Sequence, residues 1–183
     1  MIRKKSLYKK IGIFGGTFDP PHKGHFQIAN SSLRKLKLHS LIWIITKKNP
    51  LKKKPILSLK KRIFLSKKIT KNIKKIKVRS YSNFVKSSKT VDLIKYLKKR
   101  NNKVKFYFIM GSDNILKFHK WHSWNEIPNL CKIVVFPREG FSKKILTSKA
   151  YRALKREKAI FLKLKIANIS SSKIRKNYLG YLQ

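Results

Sequence analysis

The residue types best suited to chemistry gather in one early segment, Gly15-Gly16-Thr17-Phe18-Asp19-Pro20-Pro21-His22-Lys23-Gly24-His25. Gly15 and Gly16 take side chains away from a stretch of backbone that a phosphate would have to approach closely. A helix starting at about Gly24 would aim its unpaired N–H groups and positive dipole end at the same point. His22 and His25 then set two imidazoles beside one anion site, where both can donate to a phosphoryl group gaining charge in a transition state. The pair lacks a Cys or Glu at metal-ligand spacing, which argues against zinc. The glycine spacing fits neither the dinucleotide fingerprint nor the phosphate loop ending in Gly-Lys-Ser/Thr, so a dehydrogenase and an ordinary ATPase lose support.

A second polar segment, Ile169-Ser170-Ser171-Ser172-Lys173-Ile174-Arg175, lies far downstream. Ser170 and Ser171 can open a helix whose first amides and hydroxyls, with Arg175 one turn on, would hold a polyphosphate. Between the two lies Phe108-Ile109-Met110-Gly111-Ser112-Asp113-Asn114. Asp113 there sits just past a strand's carboxyl end, the place where an open parallel sheet presents functional side chains. Trp121 follows, with an aromatic face able to stack on a flat heterocycle.

The elements that must position these groups alternate. Lys10–Phe14, Leu41–Ile45, Ile76–Val78, Val104–Met110, Ile133–Phe136 and Ile160–Ile166 read as strands. Helical spacing appears from Gly24 through Phe26, Ala29, Leu33 and Leu36, over Leu59–Ile73, over Thr90–Lys99 with Thr90 as N-cap, and over Ala150–Lys158. This order predicts βαβ units in one α/β domain spanning 1–183, a parallel sheet with helices on both faces.

Composition adds context. The formal net charge is +42, from 48 Lys and Arg against six acids. The basic residues are spread along the chain together with many Ile, Asn, Phe, Tyr and Ser, as codon bias in an A- and T-rich genome would produce. The charge therefore predicts steering of anionic substrates more than a dedicated nucleic-acid surface. Asp19 and Asp113, two of the rare acids, fall inside the best segments. The lone Cys131, beside the apolar run Ile133–Phe136, cannot form an internal disulfide, which suits core packing and a reducing cytoplasm. No apolar stretch approaches the ~18 residues of a membrane span. The basic stretch Met1–Lys10 is followed by too short an apolar run, Ile11–Phe14, for an export signal.

Taken together, these segments resemble the nucleotidyltransferases whose signature is Gly-Gly-x-Phe-Asp-Pro-x-His-x-Gly-His, and within that group the bacterial nicotinate-nucleotide adenylyltransferases. Gly15–His25 matches the signature without a gap. Ile169–Arg175 matches the family pattern Ile-Ser-Ser-Thr-x-Ile-Arg, with Ser172 keeping the hydroxyl of the usual Thr. Weaker matches are Asn49-Pro50-Leu51-Lys52, Thr90-Val91-Asp92-Leu93 and Val134-Val135-Phe136-Pro137-Arg138.

The resemblance implies a Rossmann-like doubly wound sheet and transfer of an adenylyl group from ATP to nicotinate mononucleotide, giving deamido-NAD and pyrophosphate in NAD biosynthesis. Magnesium would arrive on the ATP phosphates, with no protein metal site. It implies catalysis by His22 and His25. ATP contacts would come from Gly15, Gly16, Thr17, Phe18, His22, His25, Gly111, Asp113, Ser170, Ser171, Ser172 and Arg175. Lys52, Thr90 and Trp121 would meet the mononucleotide. No specific nucleic acid or membrane partner is expected, and the oligomeric state, a homo-oligomer included, is left open. The alternatives at this point are a phosphopantetheine adenylyltransferase, a cytidylyltransferase, or a non-catalytic basic protein that binds nucleic acid.

Overall fold

A computed structural model describes residues 8–49, 51, 53–85, 87, 89–137, 142–154, 158–164 and 169–180. Its strands are β1 (Lys9–Gly16), β2 (Ser40–Ile45), β3 (Ile76–Arg79), β4 (Val104–Gly111), β5 (Lys132–Phe136) and β6 (Ala159–Phe161). All pair in parallel, in the spatial order β3-β2-β1-β4-β5-β6. The helices are α1 (Lys23–Lys35), α2 (Leu59–Thr70), α3 (Thr90–Lys99), α4 (Ser112–Lys117), α5 (Ile127–Leu130), α6 (Ser142–Leu146), α7 (Lys149–Ala153) and α8 (Ser171–Gly180). A 3-10 turn, Phe118–Lys120, follows α4.

Strand order reverses between β1 and β4, and the crevice beyond the carboxyl ends of such a pair is where doubly wound sheets bind ligands. Gly15 and Gly16 close β1, and Gly111 closes β4. Both faces are covered, which is why β2, β4 and β5 are almost uninterrupted apolar runs, while the short β3 alternates buried and exposed residues. On one face Ile13, Phe108, Met110, Ile133 and Val135 pack with Val91, Ile94, Ile115, Ile127, Ile145 and Ala150, together with Cys131. On the other, Phe14, Leu41, Trp43, Val134 and Phe136 pack with Ile28, Ala29 and Leu33 of α1, and Leu59 and Ile63 of α2 lie against them. Gly12 lets these layers close. A Cβ there would meet Leu38 Cδ1 at 2.8 Å and Ile109 Cδ1 at 2.9 Å.

Several elements differ from their sequence expectation. The buried stripe of α1 is rotated toward Ile28, Ala29, Ser31, Ser32 and Leu33, while Phe26 and Leu36 are only half-buried. Serine is tolerated on that stripe because it is small and because Ser32 Oγ donates to the Ile28 carbonyl at 2.7 Å. Helix α2 stops at Thr70, and its buried positions are Arg62, Ser66 and Thr70. Thr90 is the first residue of α3, with Lys89 at the cap. The helix expected over 150–158 ends at Ala153, where Leu154 turns to extended backbone. The strand expected over 160–166 is Ala159–Phe161. Helices α4, α5 and α6 were not expected, being too short to show a period.

Candidate active site

The turn after β1 is built around an inward-pointing ring. Phe18 has a left-handed backbone (φ 49), an uncommon setting for a bulky residue. Its ring is buried among Phe14, Trp43 and His25, with centroids 5.2, 4.7 and 4.9 Å away. A Cβ on Gly16 would lie 3.2 Å from that ring, so the second glycine makes room for it. The chain then enters α1 through His22, the N-cap, which is extended and only 5% exposed. The rings of His22 and His25 stack at 3.7 Å with planes 28° apart. The His22 N–H donates to His25 Nδ1 at 3.3 Å. That bond occupies the Nδ1 lone pair, so a neutral His25 carries its proton on Nε2 and is a donor there.

Asp19 organises the walls of the turn. It is 5% exposed. Its carboxylate accepts from the Ile56 and Leu57 N–H groups, each at 2.9 Å. The Arg175 guanidinium of α8 lies 3.7 Å from the same carboxylate and donates to the Asp19 carbonyl at 2.6 Å. Helix α8 is held from its first turn: Ser170 Oγ accepts from the Lys173 N–H, and Ser171 Oγ donates to the Pro20 carbonyl at 2.9 Å. Arg175 also donates to Ser172 Oγ at 3.1 Å. The two segments singled out at opposite ends of the chain are therefore joined.

Arg62 was not anticipated. Although charged, it is 2% exposed. It donates from Nε to the Leu57 carbonyl, from Nη1 to those of Thr17 and Thr46, and from Nη2 to that of Lys47. Burial pulls its pKa down and the nearby Asp19 opposes that shift. Nothing in a lysine-rich helix distinguishes this cation from its neighbours by sequence alone.

A cleft of about 750 Å³ opens over the β1 and β4 ends. Gly15, Gly16, Thr17, Phe18, His22, His25, Thr90, Gly111, Asp113, Trp121, Ser170, Ser171, Ser172 and Arg175 all line it. Lys52 lies outside the described residues. Sequence reasoning missed Lys48, Lys53, Lys54, Lys89 and Lys120, which give the cleft a basic rim, because they look like all the other lysines. The acids on its lining are Asp19, already engaged, and Asp113. Trp121 rests edge-on against Phe108 and Phe118, with centroids 6.0 and 5.4 Å away. Beside it in sequence, His122 Nε2 meets the Lys89 ammonium at 3.3 Å. Among the described residues there is no group of three or more His, Cys, Asp or Glu that could hold a metal ion.

The cytidylyltransferase-like family matches residues 13–177. A protein of Pelagibacter ubique named "Probable nicotinate-nucleotide adenylyltransferase" is 47% identical over 91% of this chain and 92% of its own length. The chain belongs to the nicotinate-nucleotide adenylyltransferase family. A Rhizobium meliloti protein of the same name is 39% identical over 78% of this chain and 76% of its own. The fold of this family member is also that of a solved Plasmodium falciparum nicotinic acid mononucleotide adenylyltransferase complexed with NaAD. The likeness has a TM-score of 0.75 at 23% identity and covers 92% of this chain and 83% of that one. This adenylyltransferase has its glycine turn, stacked histidines and C-terminal serines around one basic cleft.

Proposed function

We propose that this adenylyltransferase joins ATP and nicotinate mononucleotide in its basic cleft, releasing deamido-NAD and pyrophosphate as a step of NAD biosynthesis. The observation that carries this reading is the convergence of three segments, Gly15–His25, Gly111–Trp121 and Ser170–Arg175, on one cleft at the β1/β4 switch point.

A phosphate oxygen of the mononucleotide attacks the α-phosphorus of ATP. The bond from that phosphorus to the bridging oxygen breaks, and pyrophosphate leaves with the electron pair. The nucleophile is already anionic, so no enzyme nucleophile or strong base is needed, and catalysis consists of alignment and charge neutralisation. His25 Nε2–H and the adjacent His22 donate to the phosphates, the backbone of Gly15, Gly16 and Thr17 lies close to them, and Ser172 and Arg175 face them from α8. Magnesium enters on the triphosphate as part of the substrate, with few protein ligands.

Thr90 and Trp121 meet the pyridine nucleotide, and the Lys89 ammonium, in contact with His122 Nε2, adds positive charge there that favours an acid over an amide. Lys52 is assigned to the mononucleotide phosphate by its sequence position. The cytoplasm is the setting that a single, buried, unpaired cysteine supports.

Pyrophosphate release from ATP and magnesium, measured with nicotinate mononucleotide, nicotinamide mononucleotide, phosphopantetheine and a sugar phosphate as acceptors, tests the reading. The acid mononucleotide should be used best. Release with another acceptor but not with it would overturn the assignment.

A further inference from the structure

One heavily bonded side chain near the cleft does not line it. Arg62 stands on α2 beneath the floor, 2% exposed, and its planar fork reads four backbone carbonyls. Those carbonyls belong to three separate segments. Thr17 is in the glycine turn after β1, Thr46 and Lys47 follow β2, and Leu57 precedes α2. Asp19 closes the arrangement by accepting from the N–H of the same Leu57 whose carbonyl Arg62 holds. The cleft lining hangs from these points: Thr17 on one side, and Thr46, Lys48, Asn49 and Ile56 on the other.

A buried cation is tolerated only where its hydrogen bonds are met, and a fixed five-donor fork fits several carbonyls at once where a lysine ammonium does not. An apolar side chain at this position would leave the carbonyls of Leu57, Thr17, Thr46 and Lys47 without this donor, so the fork ties together backbones that would otherwise be unbridged here. The fork's geometric content is the spacing between three loop backbones. Two of these, the β1 turn and the post-β2 loop, flank the place where the two substrates must meet.

We infer that Arg62 is a positioning residue for adenylyl transfer, setting the distance and angle between the phosphate-binding β1 turn and the post-β2 loop so that acceptor phosphate and α-phosphorus align. The inference rests on the reading of the cleft as a two-substrate site. Each half of the site keeps its own contacts when the fork is lost, so affinity for each substrate alone should change little. Alignment of the pair should fail, and misplacements of about 1 Å cost on the order of 10²-fold in rate.

The test compares wild type with Arg62→Lys, which keeps the charge and loses the fork. Turnover is measured with both substrates saturating, binding of ATP alone by calorimetry, and folding by thermal melt. A folded variant whose turnover drops roughly 10²-fold while its ATP dissociation constant moves less than about threefold supports the assignment. Turnover within about threefold of wild type, or a loss confined to ATP binding, overturns it. Should Arg62→Lys not fold, Arg62→Gln, which keeps two uncharged donors, is read in the same way. If neither folds, Arg62 is a stability element and the assignment falls. The parent reading is checked separately by wild-type turnover: an inactive wild type refutes the reaction, whereas an active wild type with an equally active Arg62→Lys refutes only the positioning role.

Discussion

The Arg175 guanidinium donates to the Asp19 carbonyl across 2.6 Å of space and 156 residues of sequence. It also lies 3.7 Å from the Asp19 carboxylate, which two backbone N–H groups already hold. With about a third of its side chain exposed, Arg175 faces the cleft from this anchored position. Arg175→Ala should therefore weaken ATP more than the acceptor, raising the Michaelis constant for ATP by roughly tenfold or more, the scale of a lost charged hydrogen bond. Steady-state kinetics with each substrate varied in turn checks this; equal effects on both would assign the residue to docking α8 alone.

In the proposed reaction His22 and His25 donate to a group whose charge grows in the transition state, and their rings are stacked against each other. Replacing either by Ala should lower turnover by roughly 10²-fold with little change in melting temperature. Losses under about tenfold in a folded variant would remove them from the chemistry.

Gly111 separates space from stability. A Cβ there meets nothing within 4 Å, and the backbone is ordinary extended chain (φ −91, ψ 174), yet the residue lines the cleft. Gly111→Ala should melt at the wild-type temperature or slightly above, since alanine restricts the unfolded chain by about 0.4–1 kcal/mol. Its Michaelis constants should nevertheless rise. A loss of stability, or unchanged kinetics, would show that no substrate approaches this backbone.

Cys131 tests the core. Burial pushes its thiol up to about 12, so the native protein should resist thiol reagents at pH 8 and react once denatured. The thiol's folded pKa lies above its unfolded value of about 8.5. Its contribution to stability is therefore complete below that pH and declines as pH rises toward about 12. Denaturant melts between pH 7 and pH 10 should show the midpoint falling above pH 8.5 or so, and rapid labelling of the folded protein would contradict the buried placement.

The apolar strands and the Gly15–His25 turn were legible in the sequence because their signals are local: runs of Ile, Val and Phe, and a fixed spacing of glycine and histidine. The scarcity of acids also pointed to Asp19, whose partners could not be guessed, because Ile56 and Leu57 contribute only backbone. The buried side of α2 was not legible. Its anchors are Arg62, Ser66 and Thr70, while Leu59, Ile63 and Ile69 are only partly buried against the sheet, so an apolar-face rule reads the helix incorrectly. The helical stripe of α1 held at Ala29 and Leu33 but not at Phe26 and Leu36, because the buried serines Ser31 and Ser32 take up part of the packed face. The basic rim was hidden by the uniform lysine background.

The bond from Arg175 to Asp19 also sets a timetable. A ribosome makes the glycine turn and both histidines well before Ser171 and Arg175, the residues that hold α8 to that turn. Until α8 emerges and docks on Pro20 and Asp19, the cleft lacks the wall that Ser171, Ser172 and Arg175 form. The wall that α8 supplies is thus added only after strands β1 to β6 have been made.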